Sequence, residues 1–319
     1  MATLILTHTD VVRLLEPVSL LEAVRKGFVA SSGADVAPQR ARSGLPHNGT
    51  SATVLFPGLL PAVPAYTVKV HAKFPGSSPA IRGLIQLFDT HTGELLAVLD
   101  SGHLTALRTA AAGAVAADVL AGKDAGHVAL IGAGVQNAWQ LELLSHVRRL
   151  HTVTVYDTAP LKTGPFVRRL AEKTDAKLIP ADSLIEAVAD ADIIVAATWA
   201  RDPFLYPEFL RDGAHVTTLG ADEPIKAEVS AALVLASRFF CDYSDLAVSS
   251  GTLGAVGLGD EAITGELGDV LSGRVPGRLG DELTVYGGVG LAWMDLAAAW
   301  TVYQRALETG AGRRINFLA

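Results

Sequence analysis

The second half of the sequence alternates between short apolar segments and helical segments, and this alternation restricts the possible folds more than any other feature. The predicted strands of this half cover residues 128–131, 153–156, 193–197, 216–219 and 238–241, and a last short strand covers 283–285. Helical stretches separate several of these strands. Such alternation is typical of a parallel, doubly wound sheet, so we predict an α/β fold.

A glycine motif follows the first of these strands. The strand runs into Gly132-Ala133-Gly134, and a predicted helix begins at once. Gly132 would permit a tight turn, and Gly134 would let the backbone approach a pyrophosphate at the helix N-terminus. Asn137 occupies the position of the third glycine, so the match to the dinucleotide motif is incomplete. The order of strand, glycines and helix nevertheless predicts a Rossmann dinucleotide-binding domain.

Asp157 ends the next predicted strand, about 25 residues after Gly132. An acidic residue roughly 20 residues beyond the glycine motif binds the adenosine ribose hydroxyls in such domains, although an Asp after a strand can also cap a helix. A carboxylate there would repel the 2′-phosphate of NADP(H), and no Arg follows in Thr158-Ala-Pro-Leu161. We therefore predict NAD(H) as the preferred cofactor, and Lys162 is the residue that could weaken this preference.

The first 120 residues have a different pattern. A predicted helix at 10–32 precedes strand-like segments at 51–56, 65–71, 83–88 and 95–99, which turn residues separate. This is typical of a mostly antiparallel sheet. A helix rich in Ala and Leu is predicted over 103–120, and a last long helix over 290–308.

Composition and charge exclude several classes of protein. The net charge of −7 argues against nucleic acid or an anionic membrane as the main partner. The N-terminus lacks the features of a signal peptide, and no apolar run approaches the ~18 residues that cross a bilayer. The single Cys241 and the spacing of the nine His residues predict a metal-free, cytoplasmic protein. The mean hydropathy of +0.33 indicates extra burial at a subunit interface.

Several charged residues allow two interpretations. Arg108 is the one charged side chain between Asp100 and Asp118, in a helix dominated by Ala and Leu, so either an internal carboxylate or a ligand anion should pair with it. Alternation along the predicted strand places Lys69 on one face with Thr67, His71 and Lys73, and a solvated strand face is the simpler explanation. Arg40 has the same ambiguity.

Asp222 follows the strand predicted at 216–219, in the loop Gly220-Ala221-Asp222. Ligands of open α/β sheets bind outside the carboxyl ends of the strands, so Asp222 would face the nicotinamide end of the cleft. A cap for a following helix is an equally good explanation on these grounds.

Taken together, several segments carry a resemblance to one family. In the first half they are Pro38-Gln39-Arg40, Val68-Lys69-Val70 with Phe74-Pro75-Gly76, Leu87-Phe88-Asp89 with Thr92-Gly93, and Leu104-Thr-Ala-Leu-Arg108-Thr109. In the second half they are Gly132-Ala-Gly-Val-Gln136, Gly220-Ala-Asp222-x-Pro224-x-Lys226-x-Glu228, and Val289-Gly-Leu-Ala292 with Asp295. Over essentially its whole length the sequence resembles the ornithine cyclodeaminase/μ-crystallin family.

The resemblance implies a homodimer with two domains in each subunit. A Rossmann NAD-binding domain (122–289) would be inserted in a β-rich α+β substrate and dimerisation domain (1–121), which the C-terminal helix (290–319) completes. Members of the family include alanine dehydrogenases, ketimine reductases and cyclodeaminases, which interconvert 2-amino acids and 2-imino or 2-keto acids with a nicotinamide cofactor.

The resemblance also implies roles for individual residues. Arg40, Lys69 and Arg108 would hold the substrate carboxylate, with Lys69 also taking part in catalysis, and Asp222 would exchange a proton with the substrate nitrogen. Nine residues would line the cofactor: Gly132, Gly134, Val135, Gln136, Asp157, Thr198, Leu219, Lys226 and Val289. Departures from the family pattern occur at Asn137, Ile225 and Gly288.

Three functions are compatible with these features. The leading hypothesis is a reductase or dehydrogenase of small 2-imino (cyclic ketimine) or 2-amino acids. The second is an ornithine- or lysine-type cyclodeaminase that releases ammonia, and the third is a crystallin-like NAD(P)H-binding protein. Val54 aligns with an acidic residue of ornithine cyclodeaminases. The absence of a carboxylate at this position favours the reductase. Glu94, Asp100 or Glu223 could supply a carboxylate instead. A protein that only binds NAD(P)H is disfavoured, because the sequence retains Arg40, Lys69, Arg108 and Asp222.

Overall fold

A computed structural model describes residues 2–33, 39–46, 51–74, 77–224 and 226–317. The chain divides into two compact units: one contains Met1–Arg108 and Leu291–Ala319, and the other contains Thr109–Gly290. The boundary between Arg108 and Thr109 falls within the helix predicted over 103–120. The domain limits 1–121 and 122–289 therefore stay a prediction. None of the helices in the described ranges is long and apolar enough to span a membrane.

The elements of the two units are numbered in chain order. The strands are β1 (Thr3–Leu6), β2 (Gln39–Gly44), β3 (Ser51–Gly58), β4 (Ala65–Lys73), β5 (Ile81–Asp89), β6 (Leu95–Asp100), β7 (His127–Ile131), β8 (Thr152–Tyr156), β9 (Lys177–Pro180), β10 (Ile193–Ala196), β11 (His215–Thr218), β12 (Arg238–Cys241), β13 (Ile263–Glu266), β14 (Thr284–Gly287) and β15 (Arg313–Ile315). The helices are α1 (His8–Leu14), α2 (Pro17–Ser31), α3 (Gly102–Leu120), α4 (Val135–Val147), α5 (Pro160–Ala171), α6 (Leu184–Val188), α7 (Ala231–Leu235), α8 (Ser244–Ser249), α9 (Thr252–Ala255), α10 (Leu267–Leu271) and α11 (Ala292–Thr309).

The first unit contains a seven-stranded sheet in the order β15-β1-β6-β5-β4-β3-β2. Strands β2 to β6 pair antiparallel with their neighbours, whereas β1 pairs parallel with β6. Helix α11 packs against β3, β4, β5 and α2. The mostly antiparallel sheet agrees with the prediction. Strands β1, β2 and β15 were not predicted, because they are short or, in β2, polar and exposed.

The single helix predicted at 10–32 is wrong, since two helices occupy this segment. Thr7 and Asp10 form a capping box at the start of α1, and Pro17 lies in the first turn of α2. Proline lacks the N–H that a continuous helix requires, and its ring disfavours a helical conformation in the preceding residue. The chain therefore leaves the helix before Pro17 and begins a second one. Helix α2 then packs Gly27 so closely against Trp293 of α11 that a methyl group has no room there.

Strand β4 buries the face that carries Lys69, although the simpler interpretation of the sequence placed this face in solvent. Lys69 is 1% exposed, whereas Val70 on the opposite face is 45% exposed. The polar face is covered because α11 packs against β4 and supplies a carboxylate to Lys69. On the other face, the register pairs Val70 with Val54 of β3 and with Leu84 of β5. The interpretation of Lys69 as part of a solvated face is therefore wrong.

The second unit is built on an eight-stranded parallel sheet in the order β13-β12-β14-β11-β10-β7-β8-β9. Strands β7, β8 and β9 run outward from the centre, and the chain then returns to place β10 on the other side of β7. The strand order reverses at the carboxyl ends of β7 and β10, which is where open α/β sheets bind ligands. The predicted doubly wound α/β fold is confirmed.

Candidate active site

Three charged residues meet in the interior of the first unit. Asp295 lies in the first turn of α11 and is fully buried. Its Oδ1 accepts hydrogen bonds from Lys69 Nζ at 3.0 Å and from Arg108 Nε at 3.1 Å, and its Oδ2 lies 3.2 Å from Lys69 Nζ. We call Lys69, Arg108 and Asp295 the buried charge cluster. Arg108 therefore pairs with an internal carboxylate, which was one of the two interpretations of its sequence context.

Burial and neighbouring charges shift the protonation of this cluster. Burial lowers the pKa of Lys69 from 10.5 to about 7, although Asp295 acts in the opposite direction. Burial raises the pKa of Asp295, but the charges of Lys69 and Arg108 outweigh it, and the net shift is downward. His71, which follows Lys69 on the same strand face, has its pKa lowered to about 3 by burial and by Lys69, and so is neutral. With Lys69 protonated, two cations and one anion leave a net positive charge.

Arg40 lies in the same cross-strand row as Lys69. The register pairs Arg40 with Leu55 and Leu55 with Lys69, and directly paired residues of antiparallel strands share a face. Arg40 is half-buried, and its charge is among the influences that lower the pKa of Lys69. The neighbouring Pro38 lies outside the described residues. The first unit thus contains all three cations that were predicted to hold the substrate carboxylate.

Sequence reasoning gave Asp295 no role in the site. Its helix is rich in Ala and buried along most of its length. A carboxylate in such a helix requires a cation nearby, just as Arg108, the one charged residue of α3 before Asp118, requires an anion. Two opposite charges, each isolated within an apolar stretch of its helix, were the signal that could have found this pair.

Val54 does not share the face of Lys69. It pairs with Val70 on the opposite face, whereas Thr53 and Leu55 alternate onto the Lys69 side and are buried there. Val54 therefore lies on the opposite face of the sheet from the predicted substrate residue Lys69. On the Lys69 side of β3, neither Thr53 nor Leu55 carries a carboxylate.

The three acidic residues considered as substitutes have different positions. Glu94 is exposed in the turn between β5 and β6. Asp100 pairs in register with Leu84, which is on the face of Val70, and its Oδ1 lies 3.1 Å from His8 Nδ1. Glu223 belongs to the second unit. Neither acid of the first unit lies on the strand face that carries Lys69.

In the second unit, the glycine motif connects β7 to α4. Gly132 has a φ of +104°, which favours glycine, and a Cβ there would lie 3.0 Å from the carbonyl oxygen of Ala197. Gly134 is the N-cap residue of α4 and offers no capping side chain, and a Cβ added to it would meet nothing within 4 Å. The N-terminal N–H groups of this 13-residue helix can therefore bind an anion that approaches the backbone.

Asn137 stabilises this turn from the position of the third glycine. It is fully buried, and its Nδ2 donates to the carbonyl oxygens of Ile131 at 2.8 Å and Gly132 at 2.7 Å. The side chain thereby ties the first turn of α4 to the end of β7. The departure from the glycine motif is thus compatible with a stable dinucleotide turn.

Asp157 follows β8 and contacts the same turn. Its Oδ2 accepts a hydrogen bond from the backbone N–H of Ala133, and its Oδ1 accepts one from Ala159, both at 2.8 Å. Ala159 is the N-cap residue of α5. A carboxylate oxygen accepts more than one hydrogen bond, so this arrangement leaves acceptor capacity for a ribose hydroxyl.

Glu228 joins two loops at the same edge of the sheet. It is fully buried, and its Oε1 accepts from Thr198 N at 2.6 Å and Thr198 Oγ1 at 2.8 Å. Its Oε2 accepts from Thr218 Oγ1 at 2.7 Å and Gly220 N at 2.8 Å. Because Thr198 follows β10 and Gly220 follows β11, one carboxylate holds both loops. Sequence reasoning noted Glu228 as a family position and gave it no function.

Asp222 lies in the loop after β11 and pairs with Lys226. Its Oδ1 is 3.1 Å from Lys226 Nζ, which also lies 4.8 Å from the ring centroid of Trp199. In the described residues that follow, no helix begins before α7, which Ser230 caps. Asp222 therefore does not cap a helix. Ile225, a predicted departure from the family, lies outside the described residues.

The remaining predicted cofactor residues lie at the same edge. Val135 and Gln136 open α4, Leu219 follows β11, and Val289 follows β14, where its N–H donates to Asp242 Oδ2 at 2.9 Å. A Cβ at Gly288 would lie 3.1 Å from Leu219 Cδ2. All nine predicted positions thus follow the carboxyl ends of strands in one unit, and their contact with a cofactor stays a prediction.

Comparison with known proteins identifies the family. The model of the ornithine cyclodeaminase/mu-crystallin family matches residues 1–310. The chain belongs to this family. An iminosuccinate reductase of Paracoccus denitrificans is 36% identical over 72% of each chain. A Delta(1)-pyrroline-2-carboxylate reductase of Bacillus cereus is 32% identical over 86% of this chain and 88% of the relative.

A solved structure supports the same relationship. An archaeal alanine dehydrogenase dimer with bound NAD covers 100% of both chains, with a TM-score of 0.93 and 29% sequence identity. The Rossmann-type fold predicted from the sequence is therefore confirmed together with the family.

Proposed function

We propose that the protein is an NAD(H)-dependent reductase of a small 2-imino acid, cyclic ketimines included, and that it catalyses the reverse oxidation of the 2-amino acid. The chain is a nicotinamide-dependent oxidoreductase acting on carbon–nitrogen bonds. Hydride adds to the carbon next to the carboxylate, and the nitrogen of the C=N bond takes up a proton. The observation that carries this proposal is the buried charge cluster, which retains a net positive charge beside a third cation, Arg40.

The cations of the first unit suit an anionic substrate. Arg108 uses Nε toward Asp295 in its described contacts, so the two Nη groups can bind a carboxylate as a fork. Lys69 adds a second charge-assisted hydrogen bond when protonated. Arg40 provides long-range attraction from the same strand face. These three residues would orient the substrate by its carboxylate and discriminate against neutral imines.

The carboxyl edge of the parallel sheet fits a dinucleotide. The open backbone at Gly134 and the helix N–H groups behind it suit a pyrophosphate, and Asp157 suits a ribose diol. When bound, the nicotinamide supplies or accepts the hydride. The carboxylate at residue 157 repels a 2′-phosphate, so NAD(H) is preferred over NADP(H).

Asp222 is the residue that we assign to proton exchange with the substrate nitrogen. Lys226 holds its carboxylate from one side, and a positioned carboxyl group of this kind can act as general acid or base.

A cyclodeaminase must also hold the ω-ammonium of a diamino acid before ring closure. Beside Lys69, the residues in register on the neighbouring strands are Leu55 and Ile85, both apolar. Asp295 is engaged by two cations. An ammonium group without a carboxylate partner would be costly to bury there, whereas a cyclic or short apolar imine would not incur this cost. These residues favour the reductase.

The test is a substrate panel read by NADH oxidation. Δ1-Pyrroline-2-carboxylate, Δ1-piperideine-2-carboxylate, and pyruvate with ammonia or methylamine are assayed, and ornithine and lysine are tested separately for ammonia release. Reduction of at least one imine with little ammonia from ornithine is expected. Conversion of ornithine to proline without added NADH, as fast as imine reduction, would support the cyclodeaminase. NADH binding without turnover of any imine would support a crystallin-like binding protein.

The subunit interface of the homodimer is assigned to the exposed sheet face that carries Val54, Val70 and Leu84. Val70 and Leu84 are 45% and 53% exposed, and the register places all three in one row. A contiguous aliphatic row in solvent is typical of an association surface. Sedimentation of the wild-type protein and of Val70→Lys tests this, because the variant should shift the dimer toward monomer. An unchanged sedimentation coefficient would contradict the assignment.

A further inference from the structure

In the described part of the chain, Asp295 is the one anion among the charged groups that influence Lys69. These groups are Arg40 on β2, His71 on β4, Arg108 on α3 and Asp295 on α11. The residues paired in register with Lys69, Leu55 and Ile85, are apolar. We propose that Asp295 is a positioning residue for substrate binding: it fixes the orientation of Lys69 and Arg108 and keeps Lys69 charged when the substrate carboxylate binds. This inference rests on the proposed function of the cluster.

The geometry of Asp295 supports an orienting role. Its Oδ1 lies 3.0 Å from Lys69 Nζ and 3.1 Å from Arg108 Nε, so a single oxygen fixes both cations. A guanidinium bound through Nε has a fixed plane, and its two Nη groups are then directed together toward a ligand. The side chain of Asp295 is itself immobilised, since it is fully enclosed at the start of α11.

The charge balance supports the second part of the proposal. Burial lowers the pKa of Lys69 to about 7, and Asp295 opposes this effect through its charge and its hydrogen bond. Without Asp295, the described charges that act on Lys69 would be those of Arg108 and Arg40, both positive, and the ammonium would lose its proton at a lower pH. A neutral amine contributes much less to binding a carboxylate than an ammonium does.

The pH dependence of carboxylate binding follows from these charges. Lys69 is protonated below a pH of about 7 and neutral above it. Binding of a carboxylate should therefore weaken as the pH rises through about 7. His71 does not contribute to this change, because its pKa is lowered to about 3 and its charge is constant above that value.

The experiment measures the affinity of pyrrole-2-carboxylate, whose charge is constant between about pH 6 and 9 because a carboxyl group titrates near 4. The protein is saturated with NADH, and wild type is compared with Asp295→Asn. In the variant, the pH at which binding weakens should fall by at least about one unit, since removing an adjacent opposite charge shifts a pKa by roughly 1–3 units. At neutral pH the affinity should fall roughly tenfold or more.

Matched controls separate this effect from a general loss of structure. Glu308→Gln removes a carboxylate from the exposed end of the same helix, where it pairs with Arg305, and should leave the pH profile unchanged. The NADH dissociation constant of Asp295→Asn should remain close to the wild-type value. A folded Asp295→Asn with a wild-type pH profile would overturn the proposal.

A second variant covers the case in which Asp295→Asn does not fold. Arginine remains protonated throughout this range, so Lys69→Arg should abolish the weakening of carboxylate binding between about pH 6 and 9. Wild-type affinity that stays constant over this range, or a weakening that survives in Lys69→Arg, would also overturn the proposal. Failure of the proposed function would give a different result, namely tight carboxylate binding with no reduction of any imine.

Discussion

Asp157 accepts a 2.8 Å hydrogen bond from the backbone N–H of Ala133, the residue between the two glycines of the dinucleotide turn. The side chain expected to select the cofactor therefore also holds the turn that would bind the pyrophosphate. Any substitution at Asp157 should change both properties. A test of cofactor preference must accordingly measure the ratio of the two cofactors rather than the affinity for one.

Asp157→Ser should lower the preference for NADH over NADPH. Serine removes the charge that repels a 2′-phosphate but keeps an oxygen that can accept a hydrogen bond. Because like charges in contact cost several kcal/mol, the ratio of kcat/KM for NADH to that for NADPH should fall by about tenfold or more. Steady-state kinetics with both cofactors measures this ratio.

Asp175→Ser is the matched control for this measurement, since it changes an exposed Asp outside the turn. Its cofactor ratio should equal that of the wild type. A wild-type enzyme with a lower KM for NADPH than for NADH would contradict the assignment, and Lys162 would then be the first residue to examine.

Glu228→Gln should weaken NADH binding and lower stability. The buried carboxylate accepts four hydrogen bonds, and an amide can replace only one of its two oxygens. At least one backbone N–H, of Thr198 or Gly220, would then face an NH2 group. An unsatisfied buried donor costs about 1–3 kcal/mol, so the free energy of unfolding should fall by about that amount and KM for NADH should rise.

Glu266→Gln provides the comparison for Glu228. Glu266 also accepts two hydrogen bonds, from Ser244 N and Ser244 Oγ, but it lies on the edge strand β13. Urea unfolding should detect a larger loss of stability in Glu228→Gln, because both bonds to Glu266 go to its Oε1 and one amide oxygen can still accept them. If KM for NADH rises equally in Glu228→Gln and Glu266→Gln, Glu228 has no particular role at the sheet edge that would bind the dinucleotide.

The sequence predicted the second unit better than the first for a physical reason. A parallel sheet buries both faces of its strands, so each strand is a continuous apolar segment followed by a helix. In β4 the buried face carries Lys69, and hydrophobic alternation alone assigns that face to solvent. Only the position of α11, which is about 220 residues further along the chain, reverses this assignment.

The buried charge cluster shows a similar limit of prediction from sequence. Arg108 could be recognised from its apolar helix, but its partner could not be chosen, because sequence distance says nothing about contact between residues 108 and 295. Asn137 illustrates the opposite case. The pattern treated it as a defect of the glycine motif, whereas its amide replaces the missing glycine by bonding to the turn.

Asp222→Asn should lose turnover and retain NADH binding. The amide oxygen can still accept the hydrogen bond from Lys226, so the loop should keep its conformation, but the group can no longer exchange a proton. General acid–base catalysis contributes typically about 10²- to 10⁴-fold, and kcat should fall within this range. Stopped-flow measurement of NADH binding and imine reduction separates the two effects. Glu223→Gln, at the next residue, is the control and should keep near-normal kcat. Normal turnover in Asp222→Asn would contradict a role of Asp222 in proton exchange.

His215 should make the protein less stable in acid. The ring is fully buried between Thr284 Oγ1 and Thr217 Oγ1, each at 2.9 Å from a ring nitrogen. Burial, with smaller contributions from Arg148 and Arg278, lowers its pKa from 6.5 to about 3. Between these values the unfolded chain binds a proton that the folded chain does not. The free energy of unfolding should therefore fall as the pH drops below about 6.5, by about 1.4 kcal/mol per pH unit from this residue.

Urea unfolding of wild type and His215→Gln at pH 7.5, 6 and 5 measures this contribution, at values chosen around the ordinary His pKa of about 6.5. Glutamine keeps a donor and an acceptor but does not titrate, so the variant should start from a lower stability and lose less of it in acid. From pH 6.5 to 5 the difference between the two losses should be about 2 kcal/mol. His146→Gln, which changes an exposed His in α4, should follow the wild-type slope. Parallel slopes for wild type and His215→Gln would show that His215 takes up a proton in the folded protein, because only a neutral, buried ring produces the difference.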